Sequence, residues 1–146
     1  MTLEEVREIA RRLRPEALDD LGLRNALRAL VASVARDARL DVTPEIETRL
    51  PPLAPEQELV IYRVAQEALT NAVRHADADA LRVSLRADTD AVVLTVADDG
   101  RGFDPSHDTT ASGIRGMRER ALLVRARLDV QSDRGRGTVV TLRIPL

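Results

Sequence analysis

A chain of 146 residues with 44% apolar content can build one domain with its own core, and a formal net charge of −2 gives no basic excess to draw it to nucleic acid. Aromatic residues make up 1% of the chain, which removes base stacking as a binding mode, and the absence of cysteine removes disulfides, thiolate metal sites and cysteine nucleophiles. All 22 basic residues are arginine, so any mechanism that needs a lysine is excluded, a P-loop and a protein-kinase VAIK strand among them.

No apolar run approaches the length of a membrane span, and Met1-Thr2-Leu3-Glu4-Glu5 is not a signal peptide; a reducing cytoplasm fits, with no direct membrane contact. Thr2-Leu3-Glu4-Glu5 reads as a capping box, and Leu3, Val6, Ile9, Ala10 and Leu13 then recur at helical spacing until Pro15. This short amphipathic helix either packs on its own domain or is the end of a longer partner helix. Asp19-Asp20-Leu21-Gly22 breaks the pattern, and Leu23, Leu27, Leu30, Val31, Val34 and Ala38 predict a second helix ending near Arg39. Alternation from Val42 to Leu50 predicts a strand, and Pro44 inside it assigns that strand to a sheet edge.

Pro55 followed by Glu56, Gln57 and Glu58 opens the longest predicted helix, since proline tolerates the first helical position and acidic groups complement the N-terminal dipole. Its apolar stripe is Ile61, Val64, Ala65, Ala68 and Ala72. Glu67, Asn71, Arg74 and His75 lie along another side of its final turns. A solvated polar face would explain them, but asparagine is a poor choice in a helix interior, and its carboxamide oxygen is a hard ligand suited to Mg2+ with a carboxylate one turn away.

Leu81 to Ala87 alternates, Asp88-Thr89-Asp90 turns, and the run Ala91 to Ala97 ends abruptly in Asp98-Asp99-Gly100-Arg101-Gly102. Asp-Gly is a strong hairpin signal, but the polar residues 104–112 lack alternation, so no strand returns from that turn. Gly113 and Gly116 then open a helix carrying Ile114, Met117, Ala121, Leu122 and Val124, where free backbone N–H groups and the helix dipole favour an anion. Leu128 to Ser132 and Val139 to Ile144 form a terminal hairpin around residues 133–138. Helices segregated from antiparallel strand pairs imply an α+β fold: a two-layer α/β sandwich with a mixed, mainly antiparallel sheet and helices on one face. A Rossmann fold is excluded, because no G-x-G-x-x-G follows an early strand.

Four pieces occur in one order: Glu67-x-x-x-Asn71-x-x-x-His75, Asp98-x-Gly100-x-Gly102, Gly113-x-x-Gly116 and Gly135-x-Gly137-Thr138. Together they resemble the ATP-binding catalytic domain of bacterial sensor histidine kinases, within the wider gyrase, Hsp90 and MutL group (the Bergerat-type fold). Leu13-Arg14-Pro15, Leu18 to Leu23, and Gly113 to Arg120 are similar to the subfamily that signals to response regulators of LuxR/NarL type.

The resemblance implies ATP and Mg2+ as cofactors, with Asn71 holding the metal against the phosphates and Glu67 acting near the γ-phosphate as base or orienting carboxylate. It implies that Arg74 and His75 face the phosphate chain and that Asp98 accepts the adenine amino group. Gly100 and Gly102 would lie against the base, and Thr138 would close the adenine pocket. Gly113, Ile114, Gly116 and Met117 would line the nucleotide on the phosphate side, and residues 104–112 would form a lid.

It further implies residues 1–14 as the stub of a dimerisation helix and 15–146 as the catalytic domain. The phosphoacceptor histidine would belong to a separate dimerisation domain, because His107-Asp108, the one His-Asp pair, sits in the lid. Such a chain binds ATP, cannot phosphorylate itself, and is cytoplasmic even where its full-length protein is membrane-anchored. An anti-sigma-factor serine kinase or a nucleotide-gated binding module would use the same pocket differently.

Overall fold

The computed structural model describes residues 2–3, 15–75, 78–102 and 111–146. The predicted helix beyond Leu3, residues 4–13, and the lid residues 104–110, with His107 and Asp108, therefore lie outside the described residues. Three helices and five strands follow in the order α1 (Glu16–Ala38), β1 (Asp41–Ile46), α2 (Pro55–His75), β2 (Ala80–Ala87), β3 (Ala91–Asp98), α3 (Ala111–Leu123), β4 (Arg127–Asp133) and β5 (Gly137–Pro145).

Helix α1 begins about two turns earlier than the sequence pattern predicts, at Glu16 and not at Leu23. The break at Gly22 is real, with φ 76° and ψ 166°, but helical geometry exists on both sides of it. Leu18 before the kink and Leu23, Ala26, Leu27 and Val31 after it are buried together, so packing holds the short first segment in line. The helix ends at Arg39 in the left-handed region, and the N–H of Leu40 returns to the Ala35 carbonyl at 3.1 Å.

Pro55 stands at the first position of α2 as expected, and the Gln57 side chain reaches back to accept the Ala54 N–H at 2.8 Å. Val60, Ile61, Val64, Ala65, Ala68, Leu69 and Ala72 bury one side of the helix.

The sheet order is β1-β2-β3-β5-β4, parallel between β1 and β2 and antiparallel elsewhere. Connection through α2 makes the β1–β2 pair parallel, since a strand that crosses over a helix returns in its original direction. Pro44 does lie on an edge strand, where its missing N–H costs no ladder bond. The strand predicted to reach Leu50 stops at Ile46. Beyond it the Glu47 carboxylate, not a backbone carbonyl, takes the Ala87 N–H at 2.6 Å, and this closes the ladder.

Turn chemistry sets the β2–β3 hairpin: the Asp88 carboxylate accepts the N–H groups of Asp90 and Ala91 at 2.8 and 2.7 Å. Leu81, Val83 and Leu85 on β2, Val92, Leu94 and Val96 on β3, and Val140, Leu142 and Ile144 on β5 face the helices, while Arg82 and Arg86 face solvent. One continuous core joins these to Leu27, Ile61, Leu69 and Met117. The architecture is the expected open α+β sandwich.

Candidate functional site

Chain connectivity brings the end of α2, the start of β2, the end of β3 and the start of β5 to one end of the sheet. Only four residues separate the end of α2 from the start of β2. Leu81, near that start, pairs with Asp98 at the end of β3, and Asp98 pairs with Thr138 at the start of β5. The joint is tied by Asp99, whose carboxylate accepts the N–H groups of Asp79 and Ala80 at 2.9 and 3.0 Å. These bonds, that from Ala80 foremost, hold the Asp99 carboxyl below its ordinary value.

Side chains alternate along a strand, so Leu81, Asp98, Thr138 and Ser132 form one row across β2, β3, β5 and β4 on the helix-facing side. The apolar core thus ends in a polar rim. Thr138 is buried at 8% exposure, and its hydroxyl lies 2.8 Å from that of Ser132, which also reaches the Gly137 carbonyl at 3.3 Å. Asp98 is half-buried and accepts the Gly100 N–H at 2.9 Å. Burial pushes the Asp98 carboxyl above its ordinary value, backbone hydrogen bonds from Gly100 and Thr138 pull the other way, and the neighbouring Asp99 charge adds to the rise.

Two glycines let the backbones at this rim interlock. A Cβ on Gly137 would stand 2.1 Å from the Asp98 carbonyl oxygen, and one on Gly102 would stand 2.0 Å from that of Asp133. Both residues have positive φ, at 82° and 66°. A further backbone bond, from the Gly135 N–H to the Arg101 carbonyl, clasps the exit of β3 to the β4–β5 turn.

The second cluster lies between the helices. A Cβ on Gly113 would come within 2.6 Å of Glu67 Oε1 and 3.5 Å of Asn71 Nδ2, so the start of α3 rests against the two polar groups of α2 with room only for a hydrogen. Gly113 and Gly116 both lie inside α3, in its first and second turns, and Ala111 and Ser112, read as the end of the lid, are its first residues. Any anion seat here is therefore a helix N-terminus and not a glycine loop. A Cβ on Gly116 would meet nothing within 4 Å among the described residues. Ile114 and Met117 are packed into the core. Arg74 is exposed, and His75 closes α2, its imidazole outside the described residues.

The row and the inter-helix cluster are thus a partly buried acceptor beside a buried hydroxyl, and a carboxylate–carboxamide pair under a helix N-terminus. The sequence reading missed Ser132 and Asp99. Ser132 could have been found from the terminal hairpin, whose register sets it opposite Thr138; the contact of Asp99 with the start of β2 has no local signal.

Residues 56–146 match the family described as histidine kinase-, DNA gyrase B-, and HSP90-like ATPase. The chain belongs to this ATPase family. It is 37% identical to the oxygen sensor histidine kinase NreB of Staphylococcus carnosus over 146 residues, 99% of this chain and 42% of that protein. The histidine kinase domain of the blue-light activated kinase EL346 from Erythrobacter litoralis superposes with a TM-score of 0.72 at 27% identity, over 85% of this chain and 61% of that one. AdeS, a histidine kinase of Acinetobacter baumannii, shares the fold at a TM-score of 0.68 and 14% identity, over 84% of this chain and 62% of its own. The chain is a histidine-kinase-type ATPase domain, and it spans about two-fifths of the curated relative it matches. No helix among the described residues is long and apolar enough to cross a membrane.

Proposed function

We propose that this ATPase domain binds Mg-ATP at the polar end of its core and donates the γ-phosphoryl group to a histidine on a separate dimerisation domain. The observation that carries the reading is the meeting of Gly113 with Glu67 and Asn71, on a helix that ends four residues before β2, the strand whose Leu81 pairs with Asp98. The adenine amino group would donate to Asp98. Partial burial excludes competing water there, which strengthens a charge-assisted bond. The phosphates would lie at the first turn of α3, where a helix N-terminus with its N–H groups and dipole favours an anion.

The residues present fit Mg2+ of the kind that nucleotide sites use. Asn71 offers one hard oxygen donor beside the Glu67 carboxylate, no group of three or more acidic or histidine ligands exists among the described residues, and Mg2+ in such sites takes most of its ligands from phosphates and water. When bound, the ion neutralises charge on the phosphates. In the transfer, the bond between the γ-phosphorus and the β–γ bridging oxygen breaks, and a bond to the acceptor imidazole nitrogen forms. ADP leaves with the electron pair. Glu67 would orient the acceptor imidazole and hold its departing proton. Arg74, exposed at the same end of α2, would meet the phosphate chain as a charge, with a planar fork in place of a lysine's point charge.

The whole protein would then place this domain beside its phosphoacceptor in the cytoplasm and signal to a response regulator of LuxR/NarL type. The test supplies an isolated dimerisation hairpin carrying the phosphoacceptor histidine in trans with ATP labelled at the γ-phosphate. Label on histidine, lost in acid and retained in alkali, is the expected result. No label from a chain that binds Mg-ATP would instead favour a nucleotide-gated binding module, and label on serine of a supplied anti-sigma partner would favour the serine-kinase relative.

A further inference from the structure

We infer that Ser132 is a positioning residue for the adenine end of the site, acting through Thr138. The inference rests on the nucleotide reading above and adds to it a side chain from β4.

Ser132, Thr138 and Asp98 are consecutive members of one cross-strand row, on β4, β5 and β3. Thr138 connects to both neighbours: its hydroxyl is 2.8 Å from the Ser132 hydroxyl, and its backbone bonds the Asp98 carboxylate. A β-branched side chain has few χ1 states, so one hydrogen bond selects among them. The Ser132 hydroxyl can donate to the Gly137 carbonyl at 3.3 Å. That direction makes Ser132 the acceptor from Thr138 and leaves the Thr138 oxygen lone pairs beside Asp98. The row then presents two acceptors, carboxylate and hydroxyl, to a base that carries an amino donor. Without the Ser132 hydroxyl, the Thr138 proton is free to turn onto Asp98 itself, and it competes with the ligand for that acceptor.

The experiment measures Mg-ATP affinity by calorimetry for the wild-type chain, Ser132→Thr and Ser132→Val. The two variants have nearly the same shape, both suit a strand, and they differ by a hydroxyl against a methyl. Ser132→Thr should bind within about twofold of wild type, and Ser132→Val roughly three- to tenfold more weakly, the scale of one lost hydrogen bond. In a Thr138→Val background the two substitutions at position 132 should bind alike, because the path through Thr138 is already gone. Equal affinity of Ser132→Thr and Ser132→Val in the wild-type background overturns the inference, as does a difference that persists beside Thr138→Val. Failure of the wild-type chain to bind Mg-ATP overturns the nucleotide reading, and this inference with it.

Discussion

Replacing Gly113 by alanine should separate the chemistry of the site from the stability of the fold. The added methyl would begin 2.6 Å from Glu67 Oε1, where ordinary contact starts at 3.4 Å, so the carboxylate must retreat by most of an ångström or change rotamer. The atom in the way is the far end of a flexible side chain, so the cost is that of a strained or altered rotamer, about 0.5–1.5 kcal/mol. Against it stands the gain of alanine over glycine inside a helix, about 0.8–1.0 kcal/mol at most. The two nearly cancel, and the melting temperature should move by no more than a few degrees. Displacing a carboxylate that acts on the transfer by close to 1 Å should cost on the order of 100-fold in rate. Single-turnover transfer to a separately supplied phosphoacceptor domain, run beside a thermal melt, reads both quantities. Unchanged transfer in a folded Gly113→Ala chain would refute the role given to Glu67. A collapse of stability would refute the claim that only a mobile side-chain end opposes the methyl.

The glycines at the rim should behave in the opposite way. Gly102→Ala and Gly137→Ala drive a methyl into fixed backbone carbonyls at positive φ and should each destabilise by roughly 3 kcal/mol or more in urea melts. Gly135→Ala, where φ is 83° and an added Cβ meets nothing within 4 Å among the described residues, should cost only the conformational penalty of about 1–2 kcal/mol. A larger loss at Gly135 than at Gly137 would contradict the interlocking.

Asp98→Asn should weaken ATP binding and yet stabilise the free chain at neutral pH. The folded state raises the Asp98 carboxyl above its ordinary 3.8, so it holds the proton more tightly than the unfolded chain does. That contribution to stability is complete below 3.8 and is lost as pH rises through the raised value. The stability difference in favour of the Asp98→Asn variant should therefore grow with pH over this window and then level off, and a flat difference in melts from about pH 3 to 8 would contradict it. Arg86→Ala breaks an exposed ion pair with Glu45 and should change stability by about 1 kcal/mol or less, a change that shrinks further in high salt.

Local rules made most of the fold legible. Pro55 and the acids after it located the start of α2, alternation located β2 and β3, and Pro44 identified the edge strand. The boundary errors came from tertiary effects. Gly22 broke the helical geometry, but Leu18 had core to pack against, so helix persisted on its far side. The predicted strand through Leu50 stopped when Glu47 capped its neighbour with a carboxylate. Within the site, the spacing of Glu67 and Asn71 showed a shared helix face, but their contact with Gly113 links residues more than 40 positions apart and has no local signature. The glycines divide similarly. Gly102 was read as letting the backbone lie against a base, yet a Cβ there would first meet the carbonyl of Asp133, just as one on Gly137 would meet that of Asp98, so these two glycines join backbone to backbone.

Calorimetric titration of ATP into the chain, with and without Mg2+, tests the central claim most directly when wild type is compared with Asn71→Ala. Saturable, Mg2+-dependent binding by wild type, abolished in a folded Asn71→Ala variant, is the expected result. Absence of binding by wild type, or an affinity in Asn71→Ala equal to it, would contradict a metal-chelated triphosphate at the junction of α2 and α3.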